Sequence, residues 1–258
     1  MQKLNNEPEY QYVYGFFRET TPQTFTNRGM GDRGDPVTSL HYRDLGALIS
    51  TCPLMEYDSS RRNMLTHTRV QEEAMERFSI LPVRFNTVAP NVEKMSQLLR
   101  DRYDEFQLLI DEMTGKVEMG LKALWYEGVE FKEILAEHSG IRRLRDALQG
   151  RSEEETHYER IHLGERVEKA LYQKRQDEER LILEALRPFS CDVKCNPIIG
   201  DRMIVNAAFL VEKKGLSALE AAVHGLDEKM GQRILFRLVG PVPPYNFINV
   251  VSSWNSKP

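Results

Sequence analysis

The segment KVEMGLKALWY, Lys116–Tyr126, alternates apolar and polar residues with a period of two. Val117, Met119, Leu121, Ala123 and Trp125 fall on one side, which predicts a strand with one face against a core. C-terminal to it, a helix is expected over about Gly128–His138. Phe189–Cys195 reads as a strand, Asn196–Arg202 as a turn, and Met203–Val211 (MIVNAAFLV) as a strongly apolar strand. Ser217-Ala218-Leu219-Glu220 has the capping-box pattern. It opens a helix that turns Leu219, Val223, Leu226 and Met230 inward and closes at Gly231. Arg233–Val239 (RILFRLV) reads as the last strand. With one long insertion set aside, the order β-α-β-β-α-β is that of a ferredoxin-like unit.

That insertion is Ile141–Arg187. It holds eleven Lys/Arg and eleven Asp/Glu, with sparse apolar residues such as Leu144, Leu148, Val167, Leu171 and Ile182. A solvated helical hairpin is expected, broken near Gly150–Ser152 and joined along a narrow apolar seam. Pairs such as Glu165–Lys169 and Arg151–Glu155 at i,i+4 add only ~0.2–0.5 kcal/mol each.

N-terminal to Lys116, Tyr10–Phe17 (YQYVYGFF) reads as an aromatic strand, and Glu19–Pro36 as a mobile loop rich in Gly, Thr and Pro. Val37–Tyr42 and Gly46–Thr51 read as two strands joined at Arg43-Asp44-Leu45. Asp58-Ser59-Ser60 supplies N-caps for a helix to about Phe78, with Met64, His67, Gln71, Ala74, Met75 and Phe78 near one face. Ile80–Phe85 (ILPVRF) reads as a short edge strand, because Pro82 lacks a donor. Pro90 opens one further helix, its stripe running from Val92 and Met95 to Ile110 and Met113, ended by Gly115. The predicted fold is therefore α+β in two domains. Residues 1–115 form an N-terminal α/β domain. Residues 116–239 form a modified ferredoxin-like domain carrying the charged helical hairpin at about 141–187. A Pro-rich tail, 240–258, follows.

The 258 residues carry a formal net charge of -4, with 29% charged and 41% hydrophobic residues. A mild acidic excess gives no general attraction to nucleic acid. Three cysteines, Cys52, Cys191 and Cys195, make no disulfide framework. The start, MQKLNNEP, has neither the basic nor the apolar region of an export signal, so a cytoplasmic location is expected. The uncharged stretch Val239–Ser256 contains three Pro and three Asn, which excludes it as a membrane-spanning helix.

Few groups here point to catalysis. Gly29-Met30-Gly31-Asp32-Arg33-Gly34 fits G-x-G-x-x-G, but a strand follows it rather than a helix, and Asp32 places negative charge where a phosphate would sit. It is expected to be a flexible loop. Cys191 and Cys195 fall on one strand face and are expected to be buried thiols. His157 and His162 do not share a helix face and are expected in solvent. His67 lies on an apolar stripe and is expected to be a satisfied, partly buried histidine. No P-loop, nucleophile-elbow or zincin motif occurs, so no catalytic, cofactor-binding or metal-ligating residue is assigned.

Two segments stand apart. Ile80–Val88 (ILPVRFNTV) places Arg84 in an apolar run, either reaching outward or pairing with a neighbouring helix. Gly240–Phe247 (GPVPPYNF) is uncharged and Pro-dense, expected to leave the sheet and either pack on its own protein or form an apolar docking surface.

These segments carry a resemblance. ILPVRFNTV resembles the L-P-[VL]-R-F-G-T segment of the gas vesicle protein F/L family (GvpF/GvpL), with Asn86 in the Gly position. GPVPPYNFI resembles that family's G-P-W-P-P-Y-x-F ending, with Val242 in the Trp position. Tyr12-Val13-Tyr14-Gly15, Val117–Trp125, Asn206–Val211 and His67 add matches in the family's order. The resemblance implies a non-enzymatic accessory or minor structural protein required for gas vesicle formation, located at gas vesicles within the cytoplasm. It also implies binding to the small apolar shell protein GvpA, two α/β domains with the second ferredoxin-like, and no cofactor. Candidate partner contacts or family motif residues are Leu81, Pro82, Val83, Arg84 and Phe85, with Gly240, Pro241, Pro243, Pro244, Tyr245 and Phe247. The hairpin could instead serve accessory-protein or self association. A ligand-binding regulatory module on a ferredoxin-like fold is the alternative, and RNA binding on its sheet is a weaker one, because Phe209 has little basic charge around it.

Overall fold

The computed structural model describes residues 9–250. Expectations for residues 1–8 and 251–258 lie outside the described residues. The chain divides into two compact units: Met1–Glu118 with Pro241–Pro258, and Met119–Gly240.

The first unit contains β1 (Tyr10–Arg18), β2 (Thr24–Arg28), β3 (Pro36–Tyr42) and β4 (Leu45–Cys52). Then come α1 (Arg61–Arg77), β5 (Ile80–Pro82), β6 (Val88–Ala89), α2 (Val92–Asp101) and α3 (Tyr103–Met113). Its sheet order is β2-β3-β4-β1-β5, and β6 also pairs with β1. The pairing of β1 with β4 shifts register between Val13 and Gly15. Such a bulge moves later side chains to the opposite face from simple alternation. Tyr12, Tyr14 and Phe17 consequently share one core cluster with Val70 and Ala74 of α1. Phe16 stacks instead on Phe106 of α3, ring centroids 4.4 Å apart. A Cβ on Gly15 would lie 2.7 Å from the Leu81 carbonyl oxygen, so the close approach of β1 and β5 requires glycine there.

Three expectations change in this unit. The Glu19–Pro36 segment is not a loop throughout, because Thr24–Arg28 pairs with β3 as the outermost strand. Its side chains alternate only between exposed and half-buried, so the sequence carries little apolar signal. The helix expected from Pro90 is two helices. Asn91 caps α2 by accepting from the Lys94 N–H at 2.8 Å, and the chain breaks at Arg102 (φ -114°, ψ 20°). Met64, expected on the inner face of α1, is exposed.

The second unit's elements are β7 (Lys116–Trp125), α4 (Val129–Glu137), α5 (Ser139–Leu148), α6 (His157–Leu186), β8 (Asp192–Cys195), β9 (Met203–Glu212), α7 (Leu216–Met230) and β10 (Ile234–Val242). The sheet order is β10-β7-β9-β8. The predicted stripe of β7 is buried from Val117 to Trp125. Its Met119, Leu121, Ala123 and Trp125 join Ile182 and Leu186 of α6 and Leu219, Val223 and Leu226 of α7 in one core. The 30-residue helix α6 runs roughly 45 Å at 1.5 Å per residue. It lies against α4 and α5 through Ile134, Ile141 and Ala170, with Val167 and Leu171 of the expected seam partly buried against them.

Here too some expectations are corrected. Phe189 belongs to a 3-10 turn, not to β8. The helix α7 starts at Leu216 with no side-chain cap, so the Ser217–Glu220 pattern does not act as a capping box. The last strand continues through Gly240 and Pro241 to Val242. Its position at the end of the sheet explains this, since Pro241 needs no donor on the open side. Cys191, just before β8, and Cys195, at its end, are exposed rather than buried; β8 is the opposite end strand of the sheet.

Candidate functional site

The buried face of α1 carries two polar residues, His67 and Gln71, in the middle of an apolar core. Ser60 starts the helix by accepting from the Asn63 N–H. His67 Nε2 lies 3.2 Å from the Val83 carbonyl oxygen and Nδ1 lies 3.1 Å from the Tyr12 hydroxyl. A carbonyl only accepts, so Nε2 carries the proton and Nδ1 accepts from Tyr12. The Tyr12 oxygen in turn accepts from the Asn86 N–H at 3.0 Å. Burial lowers the His67 pKa to about 4, which leaves the ring neutral. Burial also pushes the Tyr12 and Tyr14 phenols up. The Tyr14 hydroxyl accepts from the Met30 N–H at 2.8 Å and pairs with Ser50 Oγ at 2.9 Å.

Gln71 ties this lattice to both signature segments. Its Nε2 donates to the carbonyls of Tyr14 (2.6 Å) and Val83 (3.3 Å). Its Oε1 accepts from the Tyr245 hydroxyl. The next residue, Asn246, donates from its backbone N–H (2.8 Å) and its Nδ2 (2.6 Å) to the Glu118 carboxylate. Glu118 is buried on the face of β7 opposite the predicted stripe. Leu81, Pro82, Val83, Pro243 and Pro244 are buried; Phe85, Tyr245 and Phe247 are half-buried; Arg84, Gly240 and Pro241 are exposed. Arg84 forms no ion pair among the described residues and reaches outward. Asn86 adopts φ +65°. Its side chain accepts from the Tyr57 N–H at 2.9 Å and donates to the Tyr57 carbonyl at 2.6 Å.

A second polar cluster lies inside the Met119–Gly240 unit. Arg233 holds Glu133 through two parallel bonds, both 2.6 Å, and also bonds Glu178. Lys174 approaches Glu133 at 3.0 Å and Glu137 at 2.9 Å. Glu178 accepts from the Trp125 indole N–H at 2.5 Å. The Arg233 bond to Glu133 is the leading cause of a carboxyl pKa below the usual range. These bonds join α4, α6, the end of β7 and the start of β10.

Residues 11–249 match the sequence family described as gas vesicle synthesis protein GvpL/GvpF. The chain belongs to this family. Gas vesicle protein F of Dolichospermum flosaquae is 31% identical over 246 residues, covering 93% of this chain and 98% of the relative. A Streptomyces gas vesicle protein F is 30% identical over 238 residues, covering 92% and 98%. Gas vesicle protein L of the same Streptomyces strain is 25% identical over 261 residues, covering 93% of each chain. The crystal structure of GvpF from Anabaena superposes with a TM-score of 0.80 at 27% identity, covering 95% of this chain and all of that one. GvpF from Microcystis aeruginosa gives 0.76 at 26% identity, covering 93% and 99%.

In this GvpL/GvpF chain, the two signature segments meet at Gln71, through the Val83 carbonyl and the Tyr245 hydroxyl. Sequence reasoning placed Gln71 on the correct face but gave it no role. Glu118 was not picked out, because one acid in an alternating strand looks solvated. The Glu133–Arg233–Glu178 cluster was also missed, its members being 45 and 55 residues apart in a charge-rich region. Among the described residues no group of three or more His, Cys, Asp or Glu is arranged to hold a metal ion. Nor is any helix among them long and apolar enough to cross a membrane. His157 and His162 are exposed, as expected.

Proposed function

We propose that this protein is a non-enzymatic accessory or minor structural component of gas vesicle formation, acting in the cytoplasm by binding the shell protein GvpA during assembly. The observation that carries this reading is the match to a gas vesicle synthesis family along residues 11–249. The non-enzymatic part follows the same family reading, and the buried His67 and its tyrosine neighbours are bonded within the protein. His67 is neutral with both ring nitrogens bonded, and burial holds the neighbouring phenols in their protonated form. We further read two domains that divide near Gly115–Glu118. The sheet order β10-β7-β9-β8 and the β-α-β-β-α-β connectivity support a ferredoxin-like reading of the second, with 141–187 as its insertion.

A shell protein that must present an apolar face and free strand edges is an aggregation hazard before assembly. An accessory protein that covers those surfaces relieves it. The contact we propose uses accessible parts of the candidate segments: Arg84 beside the end strand β5, the exposed Gly240-Pro241, and half-buried Phe85 and Phe247. Exposed Tyr158, Ile161 and Tyr172 on one side of α6 offer a further apolar surface. The test is co-purification of GvpA with the full chain, with Arg84→Glu, with Tyr158→Glu/Tyr172→Glu, and with a chain ending before Tyr245. Loss of capture by a folded variant locates the contact. Absence of capture by the full chain overturns the reading.

A further inference from the structure

We propose that the cleft between the Gly29–Gly34 loop and α1 binds the phosphate groups of a small di- or triphosphate. The cleft lies wholly within the first unit and has a volume of about 230 Å³. Three arginines line it: Arg28 from the end of β2, and Arg62 and Arg69 from α1. The one carboxylate in its lining, Asp32, is bonded by Arg62 at 2.5 Å. Arg28 and Arg69 form no ion pair among the described residues. Of the two acids that follow Arg69 most closely on α1, Glu72 makes no ion pair with it among the described residues, and the Glu73 carboxylate is already occupied. It accepts from the backbone N–H of Thr26 and Asn27 and from Asn27 Nδ2. Asp35 is likewise held by Arg33 at 2.6 Å. Three arginines against one carboxylate give the lining of this polar cavity a net positive charge, in a chain whose net charge is -4.

The loop is ordered from both ends. Gly29 N–H donates to the Asp35 carbonyl at 2.8 Å, and Met30 N–H donates to the buried Tyr14 hydroxyl. Gly31 and Gly34 have φ of +86° and +60°, so the backbone reaches the rim of the cleft without side chains. The volume is below the ~300 Å³ at which pockets begin to enclose whole drug-sized ligands. It suits a charged head group, with the remainder of the ligand outside. Arginine forks match phosphate oxygens in pairs, which favours phosphates over single-point anions. Recognition here differs from a dinucleotide fold, because strand β3 and not a helix follows the glycines.

The experiment is calorimetric titration of the full chain with sodium tripolyphosphate at physiological salt, with ATP in a parallel arm. Saturable binding at one site is expected, weakened at least tenfold in Arg28→Gln/Arg69→Gln. Both arginines are exposed, so the ligand-free melting temperature of this variant should match the parent. Equal affinity for both ligands assigns recognition to the phosphates, and tighter ATP binding adds contacts to the nucleoside; either supports the site. Absence of saturable binding, or equal binding by the double variant, overturns it.

Discussion

The Tyr245 hydroxyl donates to Oε1 of Gln71, joining residues 174 apart in sequence at the buried face of one helix. Gln71 spends its amide nitrogen on Tyr14 and Val83 in the same place, so its side chain has no spare partner for Oε1. Tyr245→Phe leaves that oxygen buried and unpaired, at an expected cost of ~1–3 kcal/mol. Urea unfolding of the parent and the variant measures it. The variant should also be cut faster by a protease near Pro243–Phe247, since the same bond anchors that segment. An unchanged urea midpoint would show that the bond contributes nothing.

The parts legible in the sequence share a physical signature. The stripe Val117–Trp125 was readable because each second residue meets the same core, and the break in the charged hairpin because the apolar spacing stops at Gly150. What stayed hidden depends on long-range placement. Thr24–Arg28 is a strand because β3 supplies its partners, not because its own side chains bury. Arg102 breaks a helix without glycine or proline. Pro241 sits in a strand because that strand is the last in its sheet. The two family segments were visible as motifs, yet their meeting at Gln71 follows only from the way α1 crosses β1.

A neutral buried histidine makes stability depend on pH. Burial lowers the His67 pKa from 6.5 in the unfolded chain to about 4. The unfolded state therefore binds the proton first as pH falls. The contribution is complete above about pH 6.5, declines between 6.5 and 4, and levels off below 4, a total of ~3 kcal/mol. His67→Gln should be less stable at pH 7 and should lose less stability across this window. Urea midpoints between pH 7.5 and 4 test it, and parallel slopes for the two proteins would contradict it.

Asn86 occupies a left-handed conformation that glycine adopts freely, and it compensates with two bonds to the Tyr57 backbone. Asn86→Gly removes those bonds and relieves the backbone. Asn86→Ala removes them and keeps the strain. The expected order of stability is parent, then Gly, then Ala, with Gly ~1 kcal/mol below the parent and Ala a further ~1 kcal/mol lower. Thermal melts of the three proteins check the order. Glycine at or above the parent would mean that the Tyr57 clamp adds nothing.

Arg233 decides the stability of the second unit's polar cluster. It neutralises Glu133 and the mostly buried Glu178, while Lys174 contacts the same carboxylates from the other side. Arg233→Met leaves three carboxylates, Glu133, Glu137 and Glu178, to the one ammonium of Lys174 and removes the paired fork. Losing one partner of such a cluster is expected to cost ~3 kcal/mol. Arg233→Lys restores charge but not the fork, so it should recover part of the loss. Glu178→Gln should cost less than Arg233→Met, because the amide oxygen still accepts from the Trp125 indole. The pH dependence separates these roles. The Glu133 carboxyl is held below its usual range mainly by Arg233, so its contribution is present above the unfolded value of 4.5 and is lost as pH falls through the lower folded value. Arg233→Met should reduce that acid sensitivity together with the stability, leaving the smaller share held by Lys174. A variant that lost stability at pH 7 but kept the parent's acid sensitivity would place the origin of that sensitivity outside this cluster.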